Sequence, residues 1–208
     1  MASSGSLQAA TNASPQEDDV ALWLAFRQGD EPAFARIYTR FVKILYRYGL
    51  KITRDQSLIE DCIQDLFIEL WNSRERLGNT DSIKFYLFRV MRRKLYGSLS
   101  SLPATHTDGL EHVPEPFVES YESSLVTMQE LASQKDQLHQ ALSTLPVRQH
   151  EAINLRYFHG FSYEQIAELM GINPQSVHNT LQKAMKVLRA HLSTLLLISL
   201  LGIDSFLA

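Results

Sequence analysis

The stretch that most constrains the fold runs from Phe161 to Leu188, where start, stop and restart signals for two helices agree. Ser162 can cap a first helix, and Gln165 three residues later can complete a capping box. Gly171 tolerates the positive φ that ends a helix, and the pair Asn173–Pro174 can start a second one. The pattern predicts a helix-turn-helix whose second helix lies in a DNA major groove. The alternative is an ordinary helical hairpin within a core.

Composition limits the classes of protein that can carry this motif. The 208 residues are enough for one or two small domains, and a hydrophobic content of 45% supports a packed core. A net charge of −3 is low for a dedicated nucleic-acid binder, so DNA contact must come from local basic patches or from a partner. The single Cys62 excludes an internal disulfide and a multi-cysteine metal site, which fits a reducing, cytoplasmic location.

Apolar residues at helical spacing predict an all-α chain with two small helical domains. Residues 1–18 read as a disordered lead without the features of a signal peptide, and 19–97 read as a first helical domain. Residues 98–124 are rich in Pro, Ser and acids and read as a flexible acidic linker. A second helical domain is expected over 125–191. An apolar extension over 192–208 is too short to span a bilayer. It is expected to pack on its own domain or to await a protein partner.

Two helices of the first domain carry unusual polar faces. The helix that begins near Ser57 has an acidic face, with no Lys or Arg between Gln56 and Asn72. That face is either simply solvated or a docking surface for a basic partner. The later segment from Lys84 to Tyr96 is basic and contains four interleaved aromatic residues and no acid. Cations contact phosphates and aromatic rings stack on unpaired bases, so this segment predicts a surface for single-stranded or distorted DNA. The alternative is an amphipathic helix with solvated charges.

Motifs for catalysis are absent from the sequence. The seven histidines are scattered without metal-ligand spacing, and neither a P-loop nor a Gly-x-Ser-x-Gly motif occurs. The aromatic residues of the first domain are expected to form its core. The sequence therefore predicts a protein that is not an enzyme and needs no metal or other cofactor.

Several separated motifs, taken in order, resemble one family. They are Gln28–Phe34, Asp61–Trp71, Tyr86–Val90, the pair Leu145–Pro146, and the closing helix-turn-helix. In this order, with an acidic linker between the halves, the chain resembles a bacterial RNA polymerase sigma factor of the extracytoplasmic-function group. The resemblance covers roughly residues 20–97 and 131–191.

The resemblance implies a promoter-specificity subunit with a region 2-like and a region 4-like domain. The core-polymerase contacts that it implies, on the clamp helices of the largest subunit, are Asp61, Gln64, Asp65 and Glu69. The residues implied in recognising and melting the minus-ten element are Asn79, Lys84, Tyr86, Arg89, Arg92, Arg93 and Lys94, with a flipped base against the loop of residues 77–83. The residues implied in minus-thirty-five recognition are Ser162, Gln175, Ser176, His178, Asn179, Gln182, Lys183 and Lys186. Further implied partners are the polymerase flap and an anti-sigma factor.

Two departures from the family pattern bear on DNA binding. The second helix of the motif carries His178, Asn179 and Gln182 where relatives usually have basic residues, so phosphate neutralisation should be weak. This motivates the hypothesis of an accessory DNA-targeting protein. A position that is often Asn in the minus-ten helix is Arg93, which leaves its base-reading role open. The alternative function is a stand-alone helix-turn-helix regulator, which would leave the acidic and basic faces of the first domain without a role.

Overall fold

The computed structural model describes residues 15–101, 138 and 140–204, with side chains over 19–100, 138 and 140–190. Within these ranges the regular structure is helical throughout, as the sequence predicts. The first domain contains α1 (Pro15–Arg27), α2 (Glu31–Gly49), α3 (Gln56–Ser73), a short 3₁₀ turn (Arg74–Arg76) and α4 (Ile83–Ser101). The second contains α5 (Val147–Ile153), a π-helical turn (Asn154–Phe158), α6 (Tyr163–Met170) and α7 (Pro174–Asp204).

The helices of the first domain start at aspartate caps and close around aromatic residues. Asp30 accepts a hydrogen bond from the backbone N–H of Ala33, and Asp55 caps α3 in the same way. The largest side chains of the core are almost completely removed from solvent; they are Trp23, Phe26, Phe41, Tyr48 and Phe88. Burying each such ring stabilises the fold by roughly 1.5–3 kcal/mol. The predicted role of the aromatic stripe as core is therefore confirmed for these residues.

Gly49 at the end of α2 lets that helix approach α3 closely. A Cβ atom built at Gly49 would lie 2.7 Å from Cγ2 of Ile59, a side chain that is itself fully buried. This contact is closer than packed carbon atoms tolerate. The glycine that falls inside the helical pattern is thus required by packing rather than by backbone conformation.

The helix-turn-helix forms with the capping that its sequence predicts. Ser162 and Gln165 make both hydrogen bonds of a capping box at the start of α6. Gly171 ends α6 with a φ of 65°, and Asn173 accepts a hydrogen bond at 2.7 Å from the backbone N–H of Ser176. Val177 and Leu181 are buried on one face of α7. The two helices of the motif are therefore oriented by local signals and held by their apolar faces.

Some helix ends differ from the sequence-based expectations. α1 begins at Pro15, so residues 15–18, expected in the disordered lead, are helical. α4 continues to Ser101, past the expected domain end at 97, and α7 runs without interruption to Asp204, well past 191. The linker after 101, and the expected start of the second domain near 125 with its Leu131, lie outside the described residues. The five domain boundaries therefore stay predictions.

The two domains pack against each other through α4 and the start of the helix-turn-helix. The ring of Phe161 lies 5.2 Å from that of Phe88 and 5.7 Å from that of Phe85. Buried residues of both domains join in a single apolar cluster. None of the helices in the described ranges has the length and apolar character needed to cross a membrane.

Candidate functional site

The acidic face of α3, formed by Asp61, Gln64, Asp65 and Glu69, points away from the core. All four residues are exposed, whereas Ile63, Leu66 and Phe67 between them are buried. The 3.6-residue period of a helix produces this separation, because the apolar and acidic positions fall on opposite sides. Four predicted contact residues thus share one accessible surface.

An apolar groove between α2 and α3 adjoins the acidic face, and the sequence did not predict it. Its walls include Tyr38, Phe67, Ile68 and Trp71, and Gln64 lies at its edge. Tyr38 and Ile68 are 45% and 49% exposed. The expectation that Tyr38 belongs to the core was therefore wrong, because its ring covers Phe67 from the solvent side at 4.8 Å. The signal that could have revealed the groove is Ile68, an apolar residue outside the buried stripe of α3.

The cations of α4 divide between two sides of the helix. Lys84, Arg89 and Arg92 fall, with Phe85, Phe88 and Tyr96, on the stripe that faces the second domain. Tyr86, Val90 and Arg93 lie on another side, where they line a cavity of about 340 Å³. Lys94 reaches across to α3, and its Nζ lies 2.6 Å from Oε1 of Glu69. The predicted minus-ten residues therefore do not form one continuous surface in this arrangement.

Glu151 of α5 is the most buried charge at the contact between the domains. Its side chain has no solvent exposure, and Nε of Arg92 donates to its Oε1 at 2.8 Å. The hydroxyls of Tyr48 and Tyr96 donate to the same carboxylate at 2.8 and 3.1 Å. A buried carboxylate needs such partners, because its desolvation costs several kcal/mol. Sequence reasoning missed Glu151, since a single Glu inside an amphipathic helix gives no signal of burial.

The network shifts the pKa values of its members in consistent directions. Burial, followed by the charge of Glu151, raises the pKa of Tyr96 to about 12 and that of Tyr48 well above its usual value. Burial alone would lower the pKa of Arg92, but its hydrogen bond to Glu151 and the charge of that carboxylate raise it overall. Both tyrosines therefore stay protonated donors and Arg92 stays charged at neutral pH.

Two further contacts extend the interface on either side of Glu151. Nζ of Lys84 donates to the backbone carbonyl of His159 at 2.7 Å, and NH1 of Arg89 lies 2.9 Å from Oε1 of Glu168. The His159 ring lies 4.6 Å from that of Phe88. Burial and the nearby charge of Lys84 lower the pKa of His159 to about 4. At neutral pH the imidazole is therefore uncharged within an apolar contact.

The loop before α4 is held by α1 and borders the cavity on the other side of that helix. The indole N–H of Trp23 donates to the carbonyl of Gly78 at 2.9 Å, and NH1 of Arg27 donates to Oδ1 of Asn79 at 2.5 Å. Arg76 and Arg93 line the cavity together with the ring of Tyr86. An aromatic ring and two guanidinium groups at a cavity are suited to an unstacked base and its phosphate.

The second helix of the helix-turn-helix presents polar side chains that are mostly uncharged. Gln175, Asn179 and Gln182 are exposed, and each is bonded to a neighbour on the same face. Lys183 and Lys186 are exposed one turn further on, whereas Ser176 and His178 are half-buried. Ser162 differs from the others, because its hydroxyl already caps α6 and donates to Glu164. Asn and Gln side chains of this kind can pair with base edges, mainly with adenine.

Metal chemistry has no support in the described part of the chain. No group of three or more His, Cys, Asp or Glu side chains there converges as metal ligands do. Cys62 is buried beside Ser98, and burial raises its pKa, which makes its thiol unreactive.

Comparison with known proteins assigns both domains. The family model for sigma-70 region 2 matches residues 37–102, and that for sigma-70 region 4 matches residues 135–188. Together they cover more than half of the chain, in the order that the resemblance predicts. The chain belongs to the sigma-70 family of RNA polymerase sigma factors, in the extracytoplasmic-function group.

Relatives and solved structures agree with this assignment. SigL of Mycobacterium tuberculosis, an ECF RNA polymerase sigma factor, is 27% identical over 162 residues, 76% of this chain and 88% of its own. The sigma factor SigV of Bacillus subtilis is 24% identical over 151 residues, 71% and 84% of the two chains. The fold is similar to CnrH bound to the cytosolic domain of CnrY, at 19% identity and a TM-score of 0.56 over 85% and 97% of the chains. It is also similar to RpoE bound to the anti-sigma factor NepR from Bartonella quintana, at 19% identity and a TM-score of 0.54 over 77% and 96%.

Proposed function

We propose that this protein binds core RNA polymerase through α3 and directs it to promoters, which it recognises with α4 and with the helix-turn-helix. The observation that carries the proposal is the layout of the first domain. An exposed acidic face on α3 and a basic, aromatic helix α4 lie on one rigid bundle whose sequence matches sigma region 2. One module can therefore hold the polymerase and the melted promoter strand together.

The docking surface combines charge with apolar area. Asp61 and Asp65 provide long-range attraction to a basic partner, which raises the rate of association and fixes its orientation. The adjoining groove, with the exposed rings of Tyr38 and Trp71 in its walls, provides area that can be removed from water. A basic, amphipathic pair of helices, as expected of the polymerase clamp, satisfies both requirements.

The minus-ten site centres on the cavity beside α4. Tyr86 and Arg93 face this cavity, and Asn79 is held at its loop by Arg27. An unstacked base placed against Tyr86 would bring its phosphate near Arg93 and Arg76. Lys84, Arg89, Arg92 and Lys94 are proposed to contact the strand once their present partners are released.

The helix-turn-helix is proposed to read the minus-thirty-five element with few ionic contacts. Lys183 and Lys186 are its exposed cations, while Gln175, Asn179 and Gln182 offer amides to base edges. Binding by this domain alone should therefore be weak and only modestly salt-dependent. The polymerase, an anti-sigma factor and an accessory DNA-targeting protein are the proposed partners, and the cytoplasm is the proposed location. The protein needs no enzyme activity or cofactor of its own in this role.

A stand-alone helix-turn-helix regulator is the second candidate, and the structure gives it no specific support. It would leave the region 2 match, the acidic face and the cavity beside α4 without a purpose. Tight and specific binding of a duplex by the free protein would favour it over the sigma function.

The docking assignment is tested by neutralising the acidic face without changing its shape. Asp61→Asn combined with Asp65→Asn should weaken binding to core RNA polymerase about tenfold, as measured by fluorescence anisotropy of labelled protein. Glu31→Gln combined with Glu75→Gln removes two other exposed carboxylates of the same domain and should leave the affinity unchanged. Equal affinity of the two double variants, with helicity intact in circular dichroism, would show that polymerase docks elsewhere.

A further inference from the structure

The stripe of α4 that faces the second domain is the same stripe that carries most of its DNA-directed cations. Lys84, Arg89 and Arg92 recur at intervals of three to five residues, so they share one side of the helix. Each contacts an acceptor on the second domain: the carbonyl of His159, the carboxylate of Glu168 and that of Glu151. These three contacts, with the ring packing of Phe88 on Phe161, form what we term the closed interface.

The acceptors at the closed interface are of the same chemical type as a DNA strand. A carboxylate offers a guanidinium two anionic oxygens, as a phosphate does. Arg92 makes two contacts with Glu151, at 2.8 and 3.4 Å, and its side chain is only 16% exposed. A phosphate cannot reach Arg92 while Glu151 remains in place. The aromatic residues on the stripe are equally covered, since Phe88 has no exposure and Phe85 packs on Phe161.

We propose that the second domain masks the strand-binding stripe of α4, with Glu151 and Glu168 substituting for DNA phosphates, and that the domains must separate before this stripe engages the minus-ten strand. This inference rests on the proposed function, because it describes the regulation of the same site. Tyr86 and Arg93 lie outside the closed interface and line the accessible cavity. The closed form therefore retains half of the site for a first encounter and withholds the other half.

Opening this interface has a defined cost, which makes it a switch rather than a loose contact. Separation exposes the apolar surfaces of Phe88 and Phe161 and leaves Glu151 without Arg92, Tyr48 and Tyr96. A partner that binds only the separated domains supplies this free energy by mass action. Core polymerase is such a partner if it holds the two domains apart, and a protein that binds across both domains of the closed form would oppose it.

The first test measures the separation of the domains in the full-length chain without DNA. Nitroxide labels at Thr39→Cys and Lys186→Cys, two exposed positions in different domains, are placed in a Cys62→Ser background. Electron–electron resonance should give one narrow distance distribution for this protein. Glu151→Gln and Glu168→Lys should each add a longer-distance population. A broad distribution before either substitution, or unchanged distances after both, would overturn the proposal.

The second test measures strand binding by anisotropy of a fluorescein-labelled single-stranded oligonucleotide of mixed sequence. Glu151→Gln should bind it about tenfold more tightly than the unsubstituted protein. Because Glu151 is buried, Glu168→Lys at an exposed position provides a variant that does not endanger the core. Glu164→Lys is its matched control, since it adds the same charge one turn away on α6, where the native carboxylate contacts Ser162. Glu168→Lys should exceed this control about threefold.

The outcomes separate this inference from the function on which it rests. Equal strand affinity of Glu168→Lys and Glu164→Lys, with the domains shown to be separated, would overturn the masking of α4 and leave the sigma function standing. Failure of the unsubstituted protein to support initiation by core polymerase would instead overturn the sigma function, whatever the distances show.

Discussion

Arg92 of α4 and Glu151 of α5 form a buried ion pair between residues 59 positions apart, with Nε donating to Oε1 at 2.8 Å. The pair joins a helix predicted to bind DNA to a helix of the other domain. It therefore links the stability of the protein to the accessibility of its promoter-binding surface.

Removing Arg92 should destabilise the protein far more than removing the next residue. Arg92→Ala leaves Glu151 buried with only two tyrosine hydroxyls, and breaking such a pair costs about 3–5 kcal/mol. Arg93→Ala at an exposed position should change the free energy of unfolding by less than about 0.5 kcal/mol. Urea unfolding followed by circular dichroism measures both. Similar values for the two variants would mean that the closed interface contributes little to stability.

Acidification should open the closed interface through His159. Its pKa is about 4 in the closed form and 6.5 in its ordinary state, so between these values the open form binds the extra proton. The contribution of the neutral imidazole is complete above about pH 6.5 and is lost as the pH falls toward about 4. Lys84 and Tyr48 face the ring; both keep their charge state over this range.

The pH effect is measured as the open fraction of the doubly labelled protein at pH 7.5, 6 and 5. His159→Phe preserves the ring contacts with Phe88 and Phe161 but cannot bind a proton, so its open fraction should depend much less on pH. An identical pH dependence in His159→Phe would assign the effect to carboxylates elsewhere.

Two helical glycines should respond in opposite directions to alanine. Gly49→Ala places a Cβ 2.7 Å from Ile59 and should destabilise the first domain by about 1–3 kcal/mol. Gly97→Ala in α4 meets nothing within 4 Å and should stabilise the helix by about 0.5–1 kcal/mol. Thermal or urea unfolding of the two variants gives the comparison. Ile59→Val should recover part of the loss at Gly49, and the absence of any recovery would place the strain elsewhere.

Loss of the capping box should loosen the first helix of the helix-turn-helix. Ser162→Ala removes the acceptor for the backbone N–H of Gln165 and should cost about 0.5–2 kcal/mol. Ser162→Thr keeps an acceptor and should lose much less. Amide hydrogen exchange at the start of α6 resolves the difference. Equal protection in both variants would show that tertiary packing, not the cap, fixes this helix.

Local signals in the sequence were sufficient to predict much of the fold. The caps at Ser162 and Asn173 and the turn at Gly171 depend on neighbouring residues alone, and all three are confirmed. The acidic face of α3 follows from helical periodicity, which places Asp61 and Asp65 outside the core. Both depend on spacing within one helix, which the sequence displays directly.

Contacts between distant elements could not be predicted in the same way. The burial of Glu151 depends on Arg92, Tyr48 and Tyr96 from two other helices. The groove beside α3 depends on how α2 leans away from it and exposes Tyr38. The division of the α4 cations between two sides was implicit in their spacing, but which side meets the second domain required the tertiary structure.

The account rests most directly on promoter-dependent initiation by core RNA polymerase. Transcript formation is measured on a promoter template with a premelted minus-ten bubble, with core polymerase alone, with the protein added, and with the Asp61→Asn/Asp65→Asn variant added. The account predicts a transcript of defined start only when the unsubstituted protein is present, and a strongly reduced yield with the variant. Equal transcript from core polymerase with and without the protein, together with tight duplex binding by the free protein, would contradict it.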